Sequence, residues 1–275
     1  MELQTMLMKI QEAIDAVPSN NSKLVFIVVK PGVYKKKIVV PADKPFITIS
    51  GSKANATWNE SGNIFESPTF SVLASDFVAR YLTIQNSYGA GAKAVALRVS
   101  RDRVAFFGCR ISSYQDTLLD DTGRHYYSNC YIEGAVDFIF GDASITAQWR
   151  ESPTEDTGFT FLGCKITGVK TALLGRAWGP YSRVIFALTY MSNVILPQGW
   201  DDWGDSSKQS SVFYREYKCY GDGADTKKRV GWAKELTENE AEVFLAKKMI
   251  GGKSWMRSMP TRFKSWTMPK PNNGE

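Results

Sequence analysis

Three copies of one short pattern constrain this chain more than any other feature. Cys109-Arg-Ile111, Cys130-Tyr-Ile132 and Cys164-Lys-Ile166 all read C-x-I, and each is followed at the same offset by two apolar residues: Leu118-Leu119, Ile139-Phe140 and Leu173-Leu174. The first two copies begin 21 residues apart, about one coil of a parallel β-solenoid, in which no coil can bury its apolar face until a neighbour stacks on it. A β-sandwich of many short strands is the alternative. Segments 24–29, 37–40 and 46–50 are short, β-branched and bounded by Pro or Gly, and to about residue 200 no helical period separates the strands, which argues against βαβ units. Helices are predicted only at the ends. Leu3, Met6, Leu7, Ile10, Ala13, Ile14 and Val17 recur at helical spacing before Pro18, and Thr237-Glu-Asn-Glu240 is a capping box ahead of Ala241, Val243 and Phe244. One domain is expected over residues 1–257, followed by a Pro-rich basic tail, 258–275.

The repeat also places carboxylates. Asp116, Asp137 and Thr171 stand seven residues after the three cysteines. With a 21-residue coil, Asp116 and Asp137 occupy equivalent sites on neighbouring strands about 4.7–4.9 Å apart. Like charges at that range do not both ionise easily, so one carboxyl keeps a proton while the other stays ionised, as an acid and a nucleophile require. Asp137 lies in the apolar run Val136-Asp137-Phe138-Ile139-Phe140-Gly141, where a carboxylate needs a partner, and Arg176 supplies a planar cation that could hold one. Solvated aspartates on an exposed sheet face are the plain alternative.

Composition narrows the chemistry. The chain has 34 Lys+Arg against 28 Asp+Glu, a net charge of +6 that favours a polyanionic partner. The positive charge is spread out with no nucleic-acid motif, and no apolar run is long enough to span a membrane. There is one histidine, His125, and no G-x-S-x-G, which leaves a serine-hydrolase triad little support. The four cysteines never approach C-x-x-C spacing, so no metal site is expected. Cys109 and Cys130 could form a disulfide or stack as small apolar side chains in a solenoid core. Sequons at Asn20, Asn55 and Asn59, the last two in an expected loop, hint at secretion, although the start MELQTMLMKIQ lacks a signal peptide's long apolar run.

Gln115-Asp116-Thr117-Leu118, Asp137-Phe138-Ile139-Phe140-Gly141 and Leu174-Gly175-Arg176-Ala177-Trp178 resemble the QDTL, DFIFG and LGRPW signatures of plant pectin methylesterases. Gly32-Val33-Tyr34 resembles the family's early G-x-Y motif and Lys93-Ala-Val-Ala-Leu97 its QAVAL segment, so the likeness covers nearly the whole chain. The resemblance implies a right-handed, single-stranded parallel β-helix that hydrolyses the methyl esters of galacturonate residues in pectin, without metal or other cofactor. It implies Asp137 as nucleophile, Asp116 as acid and then base, Gln115 as an oxyanion donor, Arg176 as the partner of the nucleophile, and Trp178 as a face for a sugar ring, with core packing the alternative for Trp178. It further implies a monomer of the extracellular cell wall, with a proteinaceous pectinesterase inhibitor as a further partner.

Three residues depart from the family pattern: Lys36 for an acidic residue, Lys93 for the Gln of QAVAL, and Ala177 for the Pro of LGRPW. Lys93 is expected to reach the substrate cleft and to perturb its carboxylates. Asp137 to Arg176 is only 39 residues and Cys130 to Cys164 only 34, which predicts a short-cut near residues 142–158. A pectin-active β-helix glycoside hydrolase and a catalytically impaired pectin-binding relative are the rival functions.

Overall fold

A corner in left-handed backbone, repeated once per coil, gives this chain its shape. Gly108 (φ 59°), Asn129 (φ 53°), Gly163 (φ 60°), Leu188 (φ 50°) and Lys218 (φ 45°) all sit between a strand and the residue that opens the next, and three of them directly precede the repeat cysteines. Gly and Asn adopt that conformation at little cost, whereas Leu and Lys hold it because the stacked strands on both sides impose it. The computed structural model describes residues 9–120, 123–134, 145–168 and 171–245.

The corners fold the chain into a parallel β-helix with three faces. The second face stacks Val104–Phe107, Arg124–Ser128, Gly158–Leu162, Arg183–Ala187 and Phe213–Tyr217, each parallel to the last. The third stacks Arg110–Ser112, Tyr131–Gly134, Lys165–Gly168 and Tyr190–Met191. Two long strands, Ile47–Trp58 and Phe77–Asn86, serve both faces at the N-terminal end, because Phe77–Asn86 pairs first with Val104–Phe107 and then with Arg110–Ser112. The first face is divided. Ile38–Val40, Phe70–Val72, Leu97–Val99 and Leu118–Asp120 form one ladder, and Ala147–Gln148, Gly175–Ala177 and Trp200–Asp201 form another.

Side chains that point inward form columns along the axis. Ile84, Ile111, Ile132, Ile166 and Met191 are fully buried and in register from strand to strand, so the isoleucine of C-x-I is the core rung of the third face. The aromatic column runs Phe77, Phe106, Tyr127, Phe161, Phe186, Trp200, with centroids 5.2 Å apart for Phe106–Tyr127, 4.9 Å for Tyr127–Phe161 and 4.7 Å for Phe161–Phe186. The cysteines are free; Cys109, Cys130 and Cys164 are buried, and their thiols lie against backbone carbonyls. Stacking, not a disulfide, is therefore what this structure shows.

Both predicted end helices are present within the described residues. The first is Ile10–Asp15, with residues 1–8 outside the described set, and the second is Glu238–Leu245, opened by Thr237, whose N–H and hydroxyl both donate to Glu240 at 2.8 Å. The proposed tail, 258–275, lies outside the described residues. Asn55 corrects an expectation. It sits within Ile47–Trp58, paired with Val33 and Thr83, and its Oδ1 is buried, so this sequon is strand and not loop.

Two consequences of the corners and their surroundings are measurable. At Gly163 a Cβ would lie 2.9 Å from Asn129 Oδ1 in backbone at φ +60°. Gly163→Val should cost about 1–2 kcal/mol and lower the thermal midpoint by several degrees; an unchanged melt would show that the corner tolerates any side chain. His125 is fully buried, stacked on Phe159 at 5.3 Å, with Nδ1 against Asp120 Oδ1 and Nε2 2.7 Å from the Arg101 carbonyl. Burial opposes its charge, but Asp120 and the Arg101 carbonyl outweigh that and raise its pKa above the ordinary 6.5. A raised folded-state pKa stabilises the fold fully below about pH 6.5 and loses that contribution as pH rises through the folded value. Thermal melts should fall as pH is raised from about 6, and His125→Gln should flatten that dependence.

Candidate functional site

Asp116 is held in a conformation that few aspartates adopt. It is 1% exposed, has φ +61°, and follows directly on the third-face strand through Ser113 and Tyr114. Left-handed backbone and a buried carboxyl together are costly, and they persist only where neighbours over-determine them. Those neighbours are the adjacent coil: Ala94 N–H donates to the Gln115 carbonyl at 3.3 Å and Ala96 N–H to the Thr117 carbonyl at 3.0 Å, which sets Asp116 beside Val95. Ser113 Oγ donates to the Ala94 carbonyl at 2.5 Å, and Thr117 Oγ1 to the Glu133 carbonyl at 3.1 Å, which pins both sides of the segment. Gln115 is half-buried and Asp116 fully so.

A small apolar cluster on the outer side of this strand joins Asp116's neighbourhood to the second half of the first face. Val95 and Leu119 are buried, with Ile64 and Trp178 packed against them. Trp178 meets Trp203 edge to face, with centroids 6.3 Å apart and planes at 80°. The Arg176 guanidinium lies 5.1 Å over the Trp203 ring. Gln115, Asp116, Trp178 and Arg176 thus belong to one side of the solenoid. Trp178 is half-buried, and one part of it packs on the core cluster.

Arg176 is 9% exposed, and its Nε is buried without a hydrogen-bond partner among the described residues. Its strand neighbours are Ala147 on one side and Asp201 on the other. A buried guanidinium with an open donor is a site for a carboxylate. Asp137 lies outside the described residues, so its pairing with Asp116 and Arg176 is not part of the described geometry. Lys93 is exposed and adjacent to Ala94, hence one coil from the Tyr114-Gln115 step.

The sequence missed three elements here. Trp203, 44% exposed, and Lys208, whose Nζ donates to the Ala177 carbonyl at 3.0 Å and the Trp178 carbonyl at 3.4 Å, hold the strand bearing Arg176. Trp149 is 45% exposed and follows Gln148, the register partner of Ala177. An aromatic one coil away from Trp178 was the only available signal for it.

The third repeat also needs correction. The cysteine alignment sets Leu173-Leu174 against Ile139-Phe140, but Ile145 N–H donates to the Leu173 carbonyl at 2.7 Å and Ala147 is the register partner of Arg176. Gly158–Leu162 pairs directly with Arg124–Ser128, and Lys165–Gly168 with Tyr131–Gly134, so the 34-residue interval is a single coil on the second and third faces. Among the described residues of that coil, Ala147–Gln148 is the first-face strand, next to Gly175–Ala177. Its remaining described residues form a turn around Arg150, whose guanidinium donates to the carbonyls of Pro153, Glu155 and Tyr181.

The pectinesterase family profile matches residues 3–145 and 142–253, two segments that meet within this coil. A putative pectinesterase 11 of Arabidopsis thaliana is 56% identical over 279 residues, covering 94% of this chain and 79% of that protein. A probable pectinesterase 67 of the same plant is 41% identical over 278 residues, covering 90% and 81%. Among solved structures, the pectin methylesterase from carrot superimposes with a TM-score of 0.77 at 32% identity, covering 95% of this chain and 92% of that one.

Proposed function

The chain belongs to the pectinesterase family, and from that membership we infer that it is a carboxylic ester hydrolase that removes methyl esters from the galacturonate residues of pectin, leaving pectate and methanol. The observation that carries the site is Arg176, a buried cation with an open donor on the side of the solenoid that also presents Asp116 and Trp178.

In this reading the Asp137 carboxylate attacks the ester carbonyl, and the Gln115 amide donates to the oxygen that becomes negative. In the acid role Asp116 gives a proton to the departing methoxide, so methanol leaves and the acyl group stays on Asp137. Asp116, now a carboxylate, takes a proton from water; the hydroxide adds to the acyl carbon, the bond to Asp137 breaks, and the galacturonic acid carboxyl is released and loses its proton to solvent. Arg176 orients Asp137 and stabilises its anion. Trp178 and Trp203 offer aromatic surface to the sugar chain, and the net charge of +6 favours a partly de-esterified, anionic polymer. The cell wall is the compartment where that polymer is found, and a proteinaceous inhibitor is the remaining expected partner. Among the described residues no helix is long and apolar enough to cross a membrane.

Incubation with highly methylated pectin tests the reading. Methanol without new reducing ends identifies the esterase. New reducing ends would identify a glycoside hydrolase, and retained binding with neither product a catalytically silent relative. Lys93→Gln should shift the pH–rate profile if the ammonium acts on the carboxylate pair; an unchanged profile removes Lys93 from the site.

A further inference from the structure

The third face carries an exposed column that the ester chemistry does not use. Along it, successive strands present Asn55, Thr83, Arg110, Tyr131, Lys165, Tyr190 and Tyr220, each in register with the next. With strands about 4.8 Å apart the column is about 29 Å long. Their inward neighbours are the buried isoleucine rungs, so these residues face outward: Arg110, Lys165 and Tyr220 are exposed, and Asn55, Thr83, Tyr131 and Tyr190 are half-buried. Its C-terminal half alternates cations and rings. The Arg110 guanidinium lies 4.6 Å from the Tyr131 ring centroid, Lys165 Nζ lies 5.8 Å from Tyr131 and 5.4 Å from Tyr190, and Tyr190 meets Tyr220 at 5.6 Å. Its N-terminal half is the floor of a groove of about 590 Å³ whose lining includes Gln85, Arg110, Ser112, Tyr114 and Glu133.

We propose that this face is a second polysaccharide site, which holds a de-esterified, anionic galacturonan segment outside the candidate catalytic cleft. Three observations argue for that occupant. Tyr131 and Tyr190, two strands apart at about 9.5 Å, have their faces covered by the column's own cations and turn ring edges outward at a spacing near the length of a disaccharide unit, and the cation between them is placed for a uronate carboxylate. Arg110 forms an ion pair with the half-exposed Glu133, at 2.6 Å, and exposed ion pairs are weak enough to exchange one carboxylate for another. The groove supplies neutral hydroxyl and amide groups for sugar hydroxyls, as carbohydrate recognition requires. The assignment of galacturonan rests on the pectinesterase reading: the occupant is the product of that reaction, so a processed stretch of polymer stays attached while the cleft acts on a methylated stretch, and effective concentration at the cleft rises.

The test measures binding and catalysis separately on the full chain. Affinity for a long de-esterified oligogalacturonate is measured calorimetrically with the cleft saturated by a short methyl-esterified oligomer. Lys165→Glu and Tyr220→Ala, both at exposed positions, are each expected to weaken that binding about tenfold, with methanol release from the short oligomer and the thermal midpoint unchanged. Wild-type binding should weaken with added salt. Absence of wild-type binding, or equal binding by both variants, overturns the proposal. So does an equal loss for polyglutamate, which would reduce the face to a polyelectrolyte surface, and so does a lowered midpoint with unchanged affinity, which would make the ladder a stabiliser of the stack. If methanol release fails while the binding losses appear, the esterase reading falls and this site stands.

Discussion

Asp116→Asn is expected to leave the fold intact and to lower methanol release by about 10²–10⁴-fold, the usual scale for loss of a positioned proton donor. The substitution keeps shape and volume in a site that is 1% exposed, and Asn accepts the left-handed backbone at φ +61° as readily as Asp does. What it removes is the exchangeable proton. Asp137→Asn should be at least as damaging, since a neutral amide is a poor nucleophile. Circular dichroism and a coupled methanol assay decide both. Near-normal turnover in a folded Asp116→Asn protein would refute the acid–base role.

The largest expected effect on stability is at Phe161. Its ring is fully buried between Tyr127 at 4.9 Å and Phe186 at 4.7 Å, with planes within 8° and 12° of parallel. Phe161→Ala deletes the middle of this column, and the rings on either side are fixed to their own strands, so the gap does not close. A loss of about 3–5 kcal/mol is expected, with a fall in thermal midpoint of roughly 6–20 °C. A fall of only a degree or two would mean that adjacent coils can slide together.

The solenoid was legible because its period is written in residues with no freedom of placement. Each isoleucine of C-x-I is a core rung, and the residue before each cysteine turns the corner, so stacking leaves both marks on the sequence. The position of Asp116, seven residues after Cys109 and just before the strand Leu118–Asp120, is set by the same stacking. The corner residues Leu188 and Lys218 were not, since neither residue type favours positive φ and only the stacked strands impose it. Trp203 and Lys208 escaped because their link to Arg176 and Trp178 crosses from one coil to the next without a shared motif. The register of the third repeat failed for a different reason. The second and third faces keep the 34-residue step, but on the first face Arg176 pairs 29 residues back, with Ala147, and one cysteine alignment cannot report two different steps.

That 29-residue step on the first face has a meaning for how such chains change length. A solenoid grows or shrinks in whole turns, because any cut must rejoin strands that present the same faces at the same height. Here Arg124–Ser128 meets Gly158–Leu162, and Tyr131–Gly134 meets Lys165–Gly168, with full parallel registers, so two sides of the tube close without a scar. The first face is where the step differs among the described residues, and it is the side that carries Gln115, Asp116, Arg176 and Trp178. A change in turn number would therefore spare the two closed faces and fall on the face of the candidate chemistry, so that turn number, ordinarily a property of architecture, bears there on the site.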